Sequence, residues 1–220
     1  MAPFFHLPIS GLRLCGYVAM WLPLWYDAAM NTHVVETFLV SELSADDCAA
    51  LDALGLAVYP PGSFDGFRVP VSAPAPEIDW PAERARRVFF VRHDDGLGRR
   101  QIVATSQFLP RRIRTSQGPL DALALAGVKT HPDFRHLGLG SAVVRAAFEH
   151  VDRGVFPVSF FQTGVPAFYE LLTCRRVHNP CINHLAANPA ERPWWEQHTM
   201  IYPATYPWPE GPIDLCGPGW

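Results

Sequence analysis

Arg135-His136-Leu137-Gly138-Leu139-Gly140-Ser141 stands between an apolar, strand-like stretch, Leu120 to Val128, and a segment, Ser141 to Val151, in which Val143, Val144, Ala147, Phe148 and Val151 share one helical face. A glycine pair at such a turn lets backbone approach a ligand closely, and the unbonded N–H groups at a helix start attract anions. The unit reads as a cradle for a diphosphate. A dinucleotide-binding unit would also need an acidic residue about 20 positions further on, at the end of the next strand. Here that strand ends Phe160-Phe161-Gln162, which excludes a nicotinamide cofactor.

Upstream of the loop, Val34, Val35, Phe38, Leu39 and Val40 read as a strand, and Ser44 as the cap of a helix with Asp46 and Asp47 in its first turn. Residues 60 to 81 hold six prolines and read as a loop. Arg87 to Arg92 and Gln101 to Leu109, joined through Asp94-Asp-Gly-Leu-Gly98, form a hairpin, and a second turn near Gly118 leads to the strand before the loop. Beyond the loop, Val155 to Phe161 reads as a strand and Pro166 to Leu172 as a short helix with proline in its first turn. From Cys174 onward the chain is proline-rich and irregular, apart from a strand-like His198 to Tyr202.

The 220 residues are 49% hydrophobic and 18% charged, which suits one sizeable core and excludes a disordered chain. A net charge of −3 supplies no basic field for nucleic acid. Five scattered cysteines without a CxxC pair point to reduced thiols and a cytoplasmic setting rather than a disulfide scaffold. The longest uncharged apolar run, Leu14 to Tyr26, is interrupted by Pro23 and is short of the ~18 residues of a membrane span, so no membrane partner is expected. Residues 1–29 read as an N-terminal extension, from an upstream start or as a weak targeting segment, with one domain over 30–220.

The loop, with His131-Pro132 before it and Arg135, Gly138 and Gly140 within it, resembles motif A (Q/R-x-x-G-x-G/A) of the GNAT superfamily of acyl-coenzyme A dependent N-acyltransferases. A second signature of that family, A-x-x-F-Y-x-x-x-G, is matched at Phe168 and Tyr169 and departs at Val165 and Thr173. The two motifs stand at the family's separation, and the order of elements from Thr32 to Tyr202 is similar. The resemblance implies an α/β fold of GNAT type, a mixed, mostly antiparallel sheet flanked by helices. It implies transfer of an acetyl group from acetyl-CoA to a primary amine in a ternary complex. Under it, Arg135 and the backbone of His136, Leu137, Gly138, Leu139, Gly140 and Ser141 hold the pyrophosphate. Val128, Lys129 and Thr130 take the pantetheine arm, Gln162 faces the cofactor, and Tyr169 protonates the departing thiolate. The family's pairing habits make a homodimer one expected arrangement.

Ala126-Gly-Val-Lys-Thr-His-Pro and the closing Pro209 to Trp220 are similar to a subgroup that includes the aminoglycoside 2′-N-acetyltransferases and nodulation N-acyltransferases. That similarity implies an aminoglycoside or other amino sugar as acceptor, with Trp220 among the groups holding it. Asp121, Trp194 and Trp195 are further candidates for substrate contact, since flat aromatic faces suit sugars and cations. For the base that frees the amine, Glu36, Glu42, Asp121 and Glu83 are candidates. Cys174, His178, Cys181 and His184 bring metal-ligating side chains within 11 residues, yet their spacing fits no common zinc pattern, and no metal is expected. Two other readings stay open: a non-catalytic acyl-CoA sensor, and an interaction module built on the Pro/Trp-rich surface.

Overall fold

A β-hairpin forms the centre of the sheet: β3 (Arg100–Thr115) and β4 (Gly118–Thr130) pair antiparallel over almost their whole length, from Thr115↔Gly118 to Ala104↔Thr130. The computed structural model describes residues 34–59, 61, 78–98, 100–188 and 193–220. The expected extension over residues 1–29 lies outside the described residues, as do residues 62–77 of the proline-rich segment.

On one side of the hairpin lie β2 (Arg87–Asp94) and then β1 (Val35–Leu39), both antiparallel. On the other side β5 (Ser159–Thr163) runs parallel to β4, followed by β8 (His198–Tyr202) and β6 (Arg175–Val177), both antiparallel to their neighbours. The strand order is β1-β2-β3-β4-β5-β8-β6, and a two-residue pair, β7 (Cys181–Ile182) with β9 (Ile213–Asp214), joins the far end of β3 at Arg114. This is the mixed, mostly antiparallel sheet that the sequence led us to expect.

Alternation along the strands sends successive side chains to opposite faces. Leu123 and Leu125 of β4 meet Val143, Ala147 and Phe148 of α2 (Leu139–Asp152) on one face. Ala122, Ala124 and Ala126 meet Trp194, Leu215 and Trp220 on the other. On β2, Val88 and Phe90 pack with Leu54 of α1 (Ala45–Val58). The start of α1 follows from its sequence: Ser44 Oγ accepts from Asp47 N at 3.1 Å, and Ser44 N donates to Asp47 Oδ2 at 3.2 Å.

Three expectations shift. β3 runs through Pro110 to Thr115 instead of stopping at Leu109; β2 leaves it at Phe108, so the proline stands where the strand pairs with β4 alone until β9 arrives. β5 starts at Ser159 rather than Val155, because the N–H groups of Val155 and Phe156 both donate to His150 O and fold this stretch onto the end of α2. The segment after Cys174 is not wholly irregular but holds β6, β7 and β9. Among the described residues, no helix is long and apolar enough to cross a membrane.

Candidate functional site

The parallel strands β4 and β5 pair only at Leu123↔Ser159 and Ala124↔Phe160, and then separate. From Leu125 to Thr130, β4 keeps β3 on one side and, among the described residues, has no strand on the other, so main-chain N–H and C=O groups there face a gap. Within that stretch β4 carries a bulge: Thr105 pairs with Lys129 and Gln107 with Ala126, so three steps on β4 answer two on β3. Gly127 takes up the extra residue at φ +61, and a Cβ there would lie 2.8 Å from Gln107 Nε2. Gln107 is itself held, its Oε1 accepting from Arg86 Nη2 at 2.8 Å.

Where β4 ends, the chain turns through Pro132–Phe134 into the glycine loop. His136 (φ +63) and Gly138 (φ +76) are both left-handed, and Gly138 caps α2. The first intrahelical bond runs from Ala142 N to Gly138 O, so the amides of Leu139, Gly140 and Ser141 carry no bond of that kind. Leu139 pins the turn by burying its side chain in the core. At Gly140 a Cβ would meet Thr130 Oγ1 at 3.1 Å and Phe168 Cζ at 3.6 Å, so the start of α2, the end of β4 and α3 (Pro166–Glu170) come together around a missing side chain. Arg135 is exposed and makes no ion pair among the described residues. Free amides, a helix N-terminus and an uncommitted guanidinium thus share one rim of the β4/β5 gap, a donor set that fits a diphosphate.

Solved structures to which this chain is similar include three bacterial proteins, two of them N-acetyltransferases. YhbS, a GNAT family N-acetyltransferase from Escherichia coli solved in complex with CoA, is 11% identical, with a TM-score of 0.49 over 83% of this chain and 89% of that one. ElaA from Escherichia coli is 16% identical at a TM-score of 0.43, over 77% and 98% of the two chains. A GCN5-related N-acetyltransferase from Kribbella flavida is 12% identical at 0.44; the match covers 65% of this chain and only 34% of the Kribbella protein. No family model and no curated protein matches the sequence.

Tyr169 lies beside the loop, 6% exposed, with its ring against Phe161 (centroids 4.7 Å) and Phe168 (4.8 Å). Burial raises its hydroxyl well above the usual phenol range, and Cys174, Tyr59 and Glu196 add to that. The group therefore keeps its proton at any physiological pH, the state required of an acid. No hydrogen bond engages the hydroxyl among the described residues.

Glu196 is the residue that sequence reasoning passed over. Its N–H donates to Gln162 Oε1 at 2.9 Å, and its carboxylate lies over Gly164, where a Cβ would come within 2.7 Å of Oε2. From there it acts on both Tyr169 and Tyr59, the latter at the end of α1, raised by burial and by Glu196 and lowered by Arg135. A glycine just after a strand was the only sequence signal for this approach.

The remaining candidates divide. Val128 packs toward the α2 face, Thr130 faces Gly140, and Lys129 extends toward Gly55 of α1, where its Nζ would lie 3.9 Å from a Cβ. Gln162 does not offer its amide to the gap as expected: Nε2 donates to Trp220 O at 2.7 Å, while Oε1 accepts from Trp195 N and Glu196 N. The Trp220 side chain is a core element, 3% exposed, its indole donating to Phe160 O and its ring lying under Arg111. Trp194 packs on Trp220 and borders a cleft of about 440 Å³ shared with Arg176, His178, Gln197 and His198.

Asp121 is corrected outright. Arg112 and Arg84 hold it at 2.6 and 2.7 Å, both depressing its carboxyl, and it lies seven residues before Val128, about 24 Å along the strand. Glu36 pairs with Arg92, Glu42 caps Leu39 N, and Glu83 lines a hollow with Glu149 and Arg153 at the opposite end of α2. None of the four expected bases reaches the gap. Of the metal-ligating side chains that stand close in sequence, Cys174 is buried in the α2 core, Cys181 sits on β7, and His184 turns to Asp214.

Proposed function

We propose that this chain transfers an acyl group, acetyl in the first instance, from acyl-CoA to a primary amine, with an amino sugar or aminoglycoside as the preferred acceptor. The observation that carries this reading is the β4/β5 gap: a strand with unpaired backbone on one side, bulged at Gly127, ending in a glycine loop whose amides and Arg135 suit a diphosphate. A pantetheine arm is an extended, amide-bearing chain and would lie along the β5-facing side of Val128, Lys129 and Thr130 as an additional strand does. Bound there, acyl-CoA supplies an activated thioester carbonyl.

The chain's own groups then have defined tasks. Backbone N–H groups of the free edge would polarise the carbonyl oxygen. Glu196 would accept a proton from the attacking amine, whose nitrogen bonds to the carbonyl carbon as the C–S bond breaks. Tyr169 would give its proton to the sulfur, and exchange through solvent returns a proton from Glu196 to Tyr169, so the cycle balances. The Glu196 carboxylate over Gly164 favours a cationic acceptor, and the 440 Å³ cleft bordered by Trp194 and His198 offers an aromatic face to a hydroxylated one. The test is release of free thiol from acetyl-CoA across a panel of aminoglycosides, amino acids and polyamines. Release with an amino sugar is expected; CoA binding with silence across the panel would favour the sensor reading instead.

A further inference from the structure

Away from the gap, the β7–β9 pair gathers three groups of metal-ligating chemistry. His184 Nδ1 lies 2.7 Å from Asp214 Oδ2, and ligand atoms of His184, Asp214 and Cys216 all lie within 4.8 Å of one another. The backbone builds this arrangement. Ile213 N donates to Pro180 O and Leu215 N to Ile182 O, which fixes Asp214 opposite Ile182 and brings His184, two residues on, across from it. Asp214 Oδ1 is occupied by two amides, Cys216 N at 3.0 Å and His184 N at 3.3 Å, leaving Oδ2 for a second partner. Cys216 holds φ +50, a left-handed conformation that a cysteine seldom adopts and that persists only where its surroundings enforce it.

From this geometry we infer that His184, Asp214 and Cys216 form a three-ligand site for a divalent zinc-like ion, with water in the fourth position. A thiolate, an imidazole and a carboxylate held through one oxygen are the donors zinc takes, and carboxylates fixed by amide hydrogen bonds are typical of such sites. Ligand atoms around tetrahedral zinc stand roughly 3.4–3.6 Å apart, given bond lengths of about 2.0–2.3 Å. The His184–Asp214 pair would have to open by under about 1 Å, and the sulfur, within 4.8 Å of both, to close by up to about 1.3 Å. A nucleophilic Cys–His–Asp relay does not fit the same distances: in a relay the imidazole separates carboxylate from sulfur, whereas here ligand atoms of all three lie within 4.8 Å of one another.

Cobalt(II) titrated into the chelator-treated full chain tests the inference. One equivalent should bind, give a near-ultraviolet sulfur-to-cobalt band, and be displaced by zinc. Cys216→Ser should abolish the band, and His184→Ala, at an exposed position that leaves the fold intact, should weaken binding at least tenfold. Absence of the band in the parent, its survival in Cys216→Ser, or unchanged affinity in His184→Ala would each overturn the assignment.

Discussion

Replacing Tyr169 by Phe removes one oxygen from a ring that is 6% exposed and clasped between Phe161 and Phe168. The aromatic packing is retained. Because the hydroxyl has no hydrogen-bond partner among the described residues, its loss leaves no group orphaned, and unfolding stability should move by less than about 1 kcal/mol. Catalysis should respond quite differently. A positioned acid is worth about 10²–10⁴ in rate, or roughly 3–5.5 kcal/mol of barrier at about 1.4 kcal/mol per decade. Steady-state thiol release with the best acceptor of the panel should show that fall in kcat, with KM for acetyl-CoA unchanged, while a melting curve confirms the fold. Since burial holds the phenol above its ordinary range, wild-type kcat should not decline on the alkaline side through about pH 10 on account of this group. A Tyr169→Phe enzyme turning over within twofold of wild type would refute the assignment of the acid.

At Gly127, alanine must adopt φ +61 at a cost of about 1–2 kcal/mol and displace Gln107 from Arg86; urea denaturation should show a loss near 2–3 kcal/mol, and KM for acetyl-CoA should rise as the bulge reshapes the free edge. Arg111→Met relieves the burial that lowers this guanidinium to about 10, worth about 3 kcal/mol, but strands the carbonyls of Leu215 and Pro218 and removes the cation over Trp220. These losses together outweigh the relief, so a net destabilisation of about 1–3 kcal/mol is expected by urea denaturation, with faster amide exchange over residues 215–220. Burial pushes the Cys174 thiol up to about 12 from an ordinary 9.0; the folded chain therefore binds more protons than the unfolded one between those values, and stability present below pH 9 is lost as pH rises through that window. By pH 10 the loss is about 1 kcal/mol, and Cys174→Ala should remove that slope from denaturation curves measured at pH 8 and pH 10.

Features that were legible in the sequence are those written in local spacing. Ser44 with Asp47 announces α1, the Asp94–Gly98 turn announces the β2–β3 hairpin, and the apolar stripe from Val143 to Val151 announces α2 and, with Gly138 and Gly140, the loop at its start. What was not legible depends on partners distant in the chain. Gln162 looks like a polar group at a strand end until Trp195, Glu196 and Trp220, 33 to 58 residues away, claim its amide. Asp121 looks like a free carboxylate until Arg84 and Arg112 converge on it from two other elements. β7 and β9 hold two residues each, too few for any periodicity, and exist because they pair with one another. Glu196 reaches Tyr169 only because β8 lies antiparallel to β5 and Gly164 leaves room for a carboxylate.

The most direct test of the site is amide hydrogen exchange with and without CoA. Slowed exchange confined to residues 125–130 on the free edge of β4 and to 137–141 at the start of α2 is the predicted result. Slowing elsewhere, such as the far end of α2 around His150, with these two segments unchanged, would contradict the placement of the cofactor in the β4/β5 gap.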